Sequence, residues 1–254
     1  MLELRDVHKR YSSIPAVEAV SFTARAGEVT GYLGANGSGK STTMKIITGL
    51  IEPSSGEVLF EGRPIRDDLM GFRKRMGYVP EEPHLYTHLS GMDYLVMVAQ
   101  LRDMDRRVEA ERIYGLLRLF GLHGDRDVSI SFYSKGMRQK ILLSAALMHN
   151  PDLILLDEPF SGLDVGSSLI LWSLIRELAE RGKVVLFSSH ELETVERVCS
   201  HVVILHKGKV VADDSIENLR VLMSVPTLEE IFSQLAVEQD AGAISREIAD
   251  LIDA

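Results

Sequence analysis

The sequence predicts an α/β fold in which a parallel sheet forms the core, an antiparallel β subdomain precedes it and an α-helical subdomain is inserted. Three observations carry that prediction. "LILLD" (153–157) and "VVLFSS" (184–189) are short, continuously apolar runs, each followed by a helical stretch, which is the pattern of parallel strands covered on both faces. Residues 2–10, 17–25 and 57–61 alternate or cluster as antiparallel strands do, with "PSSGE" (53–57) supplying turn chemistry. Residues 91–122 carry helical apolar spacing and no convincing strand.

Taken in order, "MLELRDVHKRY" opens as an alternating strand rather than as a charged leader followed by an apolar segment. "EVTGYL" reads as a strand, "GANGSGKS" (34–41) as a glycine loop and "STTMKIITGL" as a helix. Ser90 with Asp93 makes a capping pair for the inserted helical segment. Ser134 is an N-cap for a helix over Met137 to Leu147, yet Lys135-Gly136 occupies its first turn. Glycine weakens a helix there unless something must approach the backbone closely. "HKGK" (206–209) separates "VVIL" from "VVA" as a hairpin turn would, and Ile216 to Met223 and Thr227 to Val237 read as helices. Thr227 and Glu230 fit a capping box. Ile244, Ile248, Leu251 and Ile252 recur at helical spacing near the end, as a packed helix or a partner contact would require. The expected organisation is a main domain over 1–220, with the helical subdomain at about 85–150, and a C-terminal helical extension over 221–254.

Composition narrows the function. With 45% hydrophobic and 26% charged residues, the 254-residue chain has the balance of an ordinary globular protein. Apolar runs such as "ILLSAALM" (141–148) fall far short of the roughly 18 residues that suggest a membrane span. A cytoplasmic location is expected. The single cysteine, Cys199, sits between apolar neighbours as a small buried residue does. A net charge of −9 argues against broad binding to a nucleic acid backbone.

The strongest chemical signal is "GANGSGKS", a complete match to G-x-x-x-x-G-K-[ST] placed between strand and helix, where its chemistry needs it. Backbone N–H groups of Gly34, Ala35, Asn36, Gly37, Ser38, Gly39, Lys40, Ser41 and Thr42 are expected to wrap nucleotide phosphates. Lys40 reaches the β and γ phosphates, and Ser41 holds Mg²⁺. "LILLDEP" supports this by placing Asp157 at the end of an apolar strand, as a second metal-directed carboxylate, with Glu158 directly behind it. Adjacent buried acids are costly unless a cation or a catalytic task requires them.

Five motifs in this order and spacing ("GANGSGKS", "SKGMRQ", "LLDEP", "SGLD" and "SSH") make the chain resemble an ATP-binding cassette (ABC) transporter ATPase subunit of the bacterial exporter type, over about residues 2 to 215. The resemblance implies a P-loop nucleoside-triphosphatase core with ATP and Mg²⁺ as ligands. It implies that Tyr11, 23 residues before the loop, stacks on adenine, although alone it reads as a strand-end aromatic. By the same resemblance Glu158 polarises or deprotonates the attacking water, and His190 contacts the γ phosphate and holds that water in line. Ser134, Lys135, Gly136 and Met137, together with Asp164, are implied to face the ATP held by a second cassette. One such set is present, so the likeness implies a site completed by two chains, either two copies or one copy and a related partner.

Two departures from the family pattern stand out. In the signature, Ser134 and Gly136 are retained while Tyr133, Lys135 and Met137 replace the usual residues. Lys135 either adds a charge beside an anionic ligand or leans into water. In "GYVPEEPHLY", Glu81 takes the place of the usual Gln, and either ligates Mg²⁺, acts through water or caps the turn.

Two functions follow. The first is an ATPase subunit on the inner face of the cell membrane, driving a separately encoded membrane-spanning subunit, with Pro83 to Tyr86 as candidate contact. The alternative is a soluble cassette ATPase acting on nucleic acid or ribosomes. Such relatives carry two cassettes or a long coiled-coil insertion, and neither is present here. Export is favoured over import by "VPEEP", "YSKGM" and "TLEEIF".

Overall fold

The computed structural model describes residues 1–82 and 84–236. Strands β1 (Leu2–Tyr11) and β2 (Ile14–Ala24) pair antiparallel, and β3 (Val29–Gly34) follows, buried along its whole length. The glycine loop leads into helix α1 (Lys40–Ile47). Next come β4 (Ser55–Phe60), β5 (Arg63–Pro64), α2 (Leu69–Lys74) and β6 (Met76–Val79). Three longer helices, α3 (Gly91–Leu101), α4 (Arg106–Leu119) and α5 (Lys135–Leu147), make the inserted segment. The chain returns through β7 (Leu153–Asp157), α6 (Val165–Glu180), β8 (Val184–Ser189), α7 (Leu192–Val198), β9 (His201–His206) and β10 (Lys209–Ser215). It ends in α8 (Ile216–Met223) and α9 (Leu228–Ala236).

A four-stranded antiparallel sheet runs β2-β1-β4-β5, and a six-stranded sheet runs β10-β9-β3-β8-β7-β6. In the latter, β9, β3, β8, β7 and β6 are parallel to their neighbours and only β10 is antiparallel. Continuous apolar runs suit this sheet because alternate residues enter two different cores. Ile154 and Leu156 pack with α6, α7, α8 and α9 on one face, while Leu153 and Leu155 pack with α1 and the antiparallel sheet on the other. A third core, containing Leu95, Ile113, Leu117, Ile141 and Met148, belongs to the helical segment.

The expected elements are present, and the structure adds detail to three of them. Residues 91–122 form two helices, because Asp103 takes a left-handed backbone (φ 54°) and Asp105 caps α4 through the amides of Arg107 and Val108. Helix α5 begins at Lys135, so that Lys135-Gly136 forms its first turn as expected, with the hydroxyl of the N-cap Ser134 accepting from the Met137 amide. Residue 220 lies inside α8, and α9 buries Leu228 and Ile231 in the core shared with the parallel sheet. The expected pattern at 244–252 lies outside the described residues. Among those residues no helix is long and apolar enough to cross a membrane.

Candidate functional site

Parallel strands deliver their carboxyl ends to one edge of a sheet, and ligand crevices of open α/β sheets lie there. Here β3 sits between β8 and β9, and the register sets Leu33 beside Ser189, Asp157 beside Ser188 and Val79 beside Leu156. The glycine loop, Asp157-Glu158, Ser189-His190 and the segment with Glu81 therefore emerge side by side. A cavity of about 360 Å³ lies among them, lined by Ala16, Asn36, Gly37, Gly39, Lys40, Ser41, Thr42, Glu81, Asp157 and Glu158.

One wall is the start of α1. Gly39 caps it with φ 108°, no side chain caps it, and no acidic residue occupies its first turn. The N–H groups and positive dipole end of this helix are thus left for a ligand. A Cβ on Gly39 would stand 2.5 Å from the Ala16 carbonyl oxygen, so only glycine lets the loop lie against β2. Lys40 is buried, and its Nζ donates to the carbonyls of Gly34 (2.6 Å) and Ala35 (3.3 Å). Burial lowers its pKa, opposed by the charges of Glu158, Asp157 and Glu81.

The opposite wall is acidic. Asp157 is 2% exposed and accepts a hydrogen bond from the hydroxyl of Ser188. Burial raises its pKa, as does the charge of Glu81, while Ser188 and Lys40 act the other way. Glu158 has a left-handed backbone (φ 49°), unusual for a non-glycine residue, and its N–H donates to both the carbonyl and the hydroxyl of Ser188 at 3.2 Å. Its Oε1 lies 2.8 Å from Nδ1 of His190. Burial raises the Glu158 pKa, with the His190 bond opposing. A buried carboxyl with a raised pKa and an oriented partner has the properties of a general base.

Bare glycine backbone, an uncapped helix start and Lys40 on one wall, and carboxylates on the other, suit a polyphosphate with a divalent cation. Among the described residues no group of three His, Cys, Asp or Glu side chains could hold a metal alone. Ser41, Asp157 and Glu81 could nevertheless complete a site whose other ligands are phosphate oxygens and water, as Mg²⁺ prefers.

Not every expected site residue lines this cavity. Tyr11 ends β1, half-exposed, with Lys9 Nζ 5.5 Å from its ring centroid, and Ala16 rather than Tyr11 reaches the cavity wall. Gly34, Ala35 and Ser38 form the back of the loop, the Ser38 carbonyl accepting from the Gly208 amide. Ser134, Lys135, Gly136, Met137 and Asp164 line none of it. They gather in a second place, where Lys135 Nζ donates to Ser161 Oγ (2.7 Å) and Asp164 caps α6 through the Ser167 amide (2.9 Å). Of the expected contact segment, His84 and Tyr86 are exposed, but Leu85 is half-buried against the main and helical cores. Ser188, which joins Asp157 and Glu158 in the first place, and Ser161, which meets Lys135 in the second, had no motif to mark them beyond their places in "SSH" and "SGLD".

Comparison with known proteins agrees with this geometry. The family model described as ABC transporter matches residues 17–161. The ABC-type transporter ATP-binding protein EcsA of Bacillus subtilis is 34% identical over 244 residues, covering 95% of this chain and 98% of its own. The Nod factor export ATP-binding protein I of Burkholderia lata is 32% identical, covering 84% and 70%. Among solved structures, the dimeric post-hydrolysis state of the ATP-binding cassette MJ0796, bound to ADP and Pi, superposes with a TM-score of 0.79 at 25% identity, covering 85% of this chain and 99% of that one.

Proposed function

The chain belongs to the ABC transporter family as an ATP-binding, ATP-hydrolysing subunit, and from that premise we propose how its residues divide the work. Lys40 and the N–H groups of the glycine loop and α1 hold the β and γ phosphates of ATP. Ser41, Asp157 and Glu81 would hold Mg²⁺, which would supply positive charge against the phosphates. Glu158 takes a proton from the water whose oxygen attacks the γ phosphorus, as the bond to the bridging oxygen of ADP breaks. His190 holds the Glu158 carboxylate in place through Nδ1 and presents its other edge to the γ phosphate. The observation that carries this reading is the convergence of Lys40, Asp157 and Glu158 around one cavity at the carboxyl end of the parallel sheet, with His190, itself outside the lining, bonded to Glu158.

The site is completed by a second cassette, whose Ser134–Met137 turn and Asp164 meet the γ phosphate. Two things support this reading: the turn stands apart from its own chain's cavity, and the similar cassette MJ0796 is a dimer with ADP and Pi. Closure of the two cassettes drives a membrane-spanning partner, reached through exposed His84 and Tyr86, at the cytoplasmic face of the membrane. Export is the favoured direction, supported by the likeness to a Nod factor export protein and by Glu81 in its place. Glu158→Gln should retain ATP binding, lose hydrolysis and sediment as a dimer only with Mg²⁺ and ATP. A persistent monomer with bound ATP would overturn a site made by two copies of this chain.

A further inference from the structure

The turn that opens α5 and the loop that precedes α6 are built against each other within one chain. A Cβ on Gly136 would stand 2.8 Å from the carbonyl oxygen of Gly162, so the two backbones touch only because position 136 is bare. Gly162 has φ 81°, and a Cβ on it would meet Cδ and Cγ of Lys135 at 2.6 and 2.7 Å. The stem of Lys135 therefore lies flat across Gly162, and its ammonium reaches Ser161 Oγ at 2.7 Å. One turn further along α5, Gln139 is buried and its Nε2 donates to the Pro159 carbonyl (3.0 Å), while Lys140 Nζ lies 3.9 Å from Asp164 Oδ2. Three successive points of the 159–164 loop are thus held by one face of α5.

We propose that Lys135 is a positioning residue, which clasps the Ser134–Met137 turn to the Ser161–Asp164 loop so that both are presented to the second subunit's nucleotide as one rigid edge. The presentation rests on the two-chain reading above, whereas the clasp itself exists within one chain. Its logic is entropic: an edge already ordered has less conformational freedom to lose when two cassettes close. Lys135 then acts through Ser161 and Gly162 rather than by placing its charge on phosphate.

The test separates clasp from presentation. Lys135→Met keeps the stem over Gly162 and removes the donor; Ser161→Ala removes the acceptor. In the nucleotide-free chain, hydrogen exchange reads the amides of Ser161 and Leu163, bonded to the carbonyls of Glu158 and Phe160, and those of Met137 and Arg138, bonded to Ser134. Each single variant should speed exchange in both segments roughly three- to tenfold, the range of one net hydrogen bond, with the double variant no faster than either. Lys135→Arg, which can still reach Ser161, should restore protection.

In the Glu158→Gln background, each single variant should raise the ATP concentration for half-maximal dimer by a similar factor, with no further rise in the double variant. Binding of ATP to the monomer should stay within twofold of the parent. Unchanged exchange in both singles would overturn the clasp. So would a dimer weakened by Lys135→Met and untouched by Ser161→Ala, since Lys135 would then act on the other subunit directly. If exchange responds as expected while Glu158→Gln never dimerises, the clasp stands and the pairing of two copies of this chain falls.

Discussion

Ser188→Ala is the sharpest perturbation of the catalytic end of the sheet, because one hydroxyl serves both acids. Ser188 is fully buried on β8; its Oγ donates to Asp157 and accepts from the N–H of Glu158. Removing it leaves a buried carboxylate short of a donor and weakens the hold on a backbone at φ 49°. A hydrogen bond to a charged group contributes roughly 1.5–3 kcal/mol, equivalent to about 10- to 100-fold in an equilibrium or rate constant. The direction at Asp157 follows from the causes of its pKa: burial already raises it and Ser188 holds it down, so the variant raises it further and makes Asp157 a poorer cation ligand.

The expected result is a half-saturating Mg²⁺ concentration about tenfold higher, turnover about tenfold lower at fixed Mg²⁺, and stability to urea reduced by about 2 kcal/mol. Steady-state ATPase assays across a Mg²⁺ titration, with urea melts alongside, measure all three. Ser188→Cys, a weak donor of similar shape, should fall between parent and alanine variant. If Ser188→Ala matched the parent in Mg²⁺ dependence and turnover within twofold, the hydroxyl would be packing alone and Asp157 would not be the acid that meets the cation.

Other outcomes follow from single positions. Gly39→Ala should weaken ATP binding more than tenfold in a calorimetric titration, because its Cβ must displace the Ala16 carbonyl and adopt φ 108°, a region strained by about 1–3 kcal/mol. Undiminished binding would mean that the loop and β2 separate freely. Glu81→Gln should raise the Mg²⁺ requirement of ATPase activity severalfold, and identical Mg²⁺ curves would remove Glu81 from the metal site. His149 should make stability depend on acid. Burial, followed by the adjacent Arg102, lowers its pKa to about 4, so between about 6.5 and 4 the unfolded chain binds the extra proton and stability falls with pH. Because the ring is only partly buried, the loss at pH 5 is discounted to about 1–2 kcal/mol. Urea midpoints of His149→Gln should change less between pH 7 and pH 5 than the parent's, and parallel slopes would refute the assignment.

What the sequence made legible was what repeats locally. β7 and β8 were readable because a strand covered on two faces leaves a continuous apolar run, and Asp157 because polarity returns abruptly at its end. The glycine loop was readable because its chemistry fixes residue types at fixed spacing. By contrast, Ser188 lies directly beside Asp157 only through the β7–β8 register, and nothing in either run states that register. The break at Asp103 escaped because apolar spacing continues through it while the backbone does not. The packing of α9 was not legible for a related reason: amphipathic spacing shows that a helix buries a face but not which core receives it.

Gly136 shows how far a local rule can reach. The expectation that a glycine in the first turn of α5 means a close approach is sound, and a phosphate supplied by another chain is one visitor. Yet the backbone of Gly162, 26 residues on, already lies against it, and any side chain at position 136 would strike that carbonyl in a single subunit. One glycine thus meets two demands, contact with its own chain's loop and access for a second subunit's ligand. A substitution there cannot by itself tell them apart. Ser161 can, since it touches Lys135 and lies outside the expected phosphate contacts. Its alanine variant perturbs the internal contact while leaving the glycine surface bare. The loss or retention of ATP-driven dimer in that variant therefore measures how much of the trans contact depends on order set within one chain.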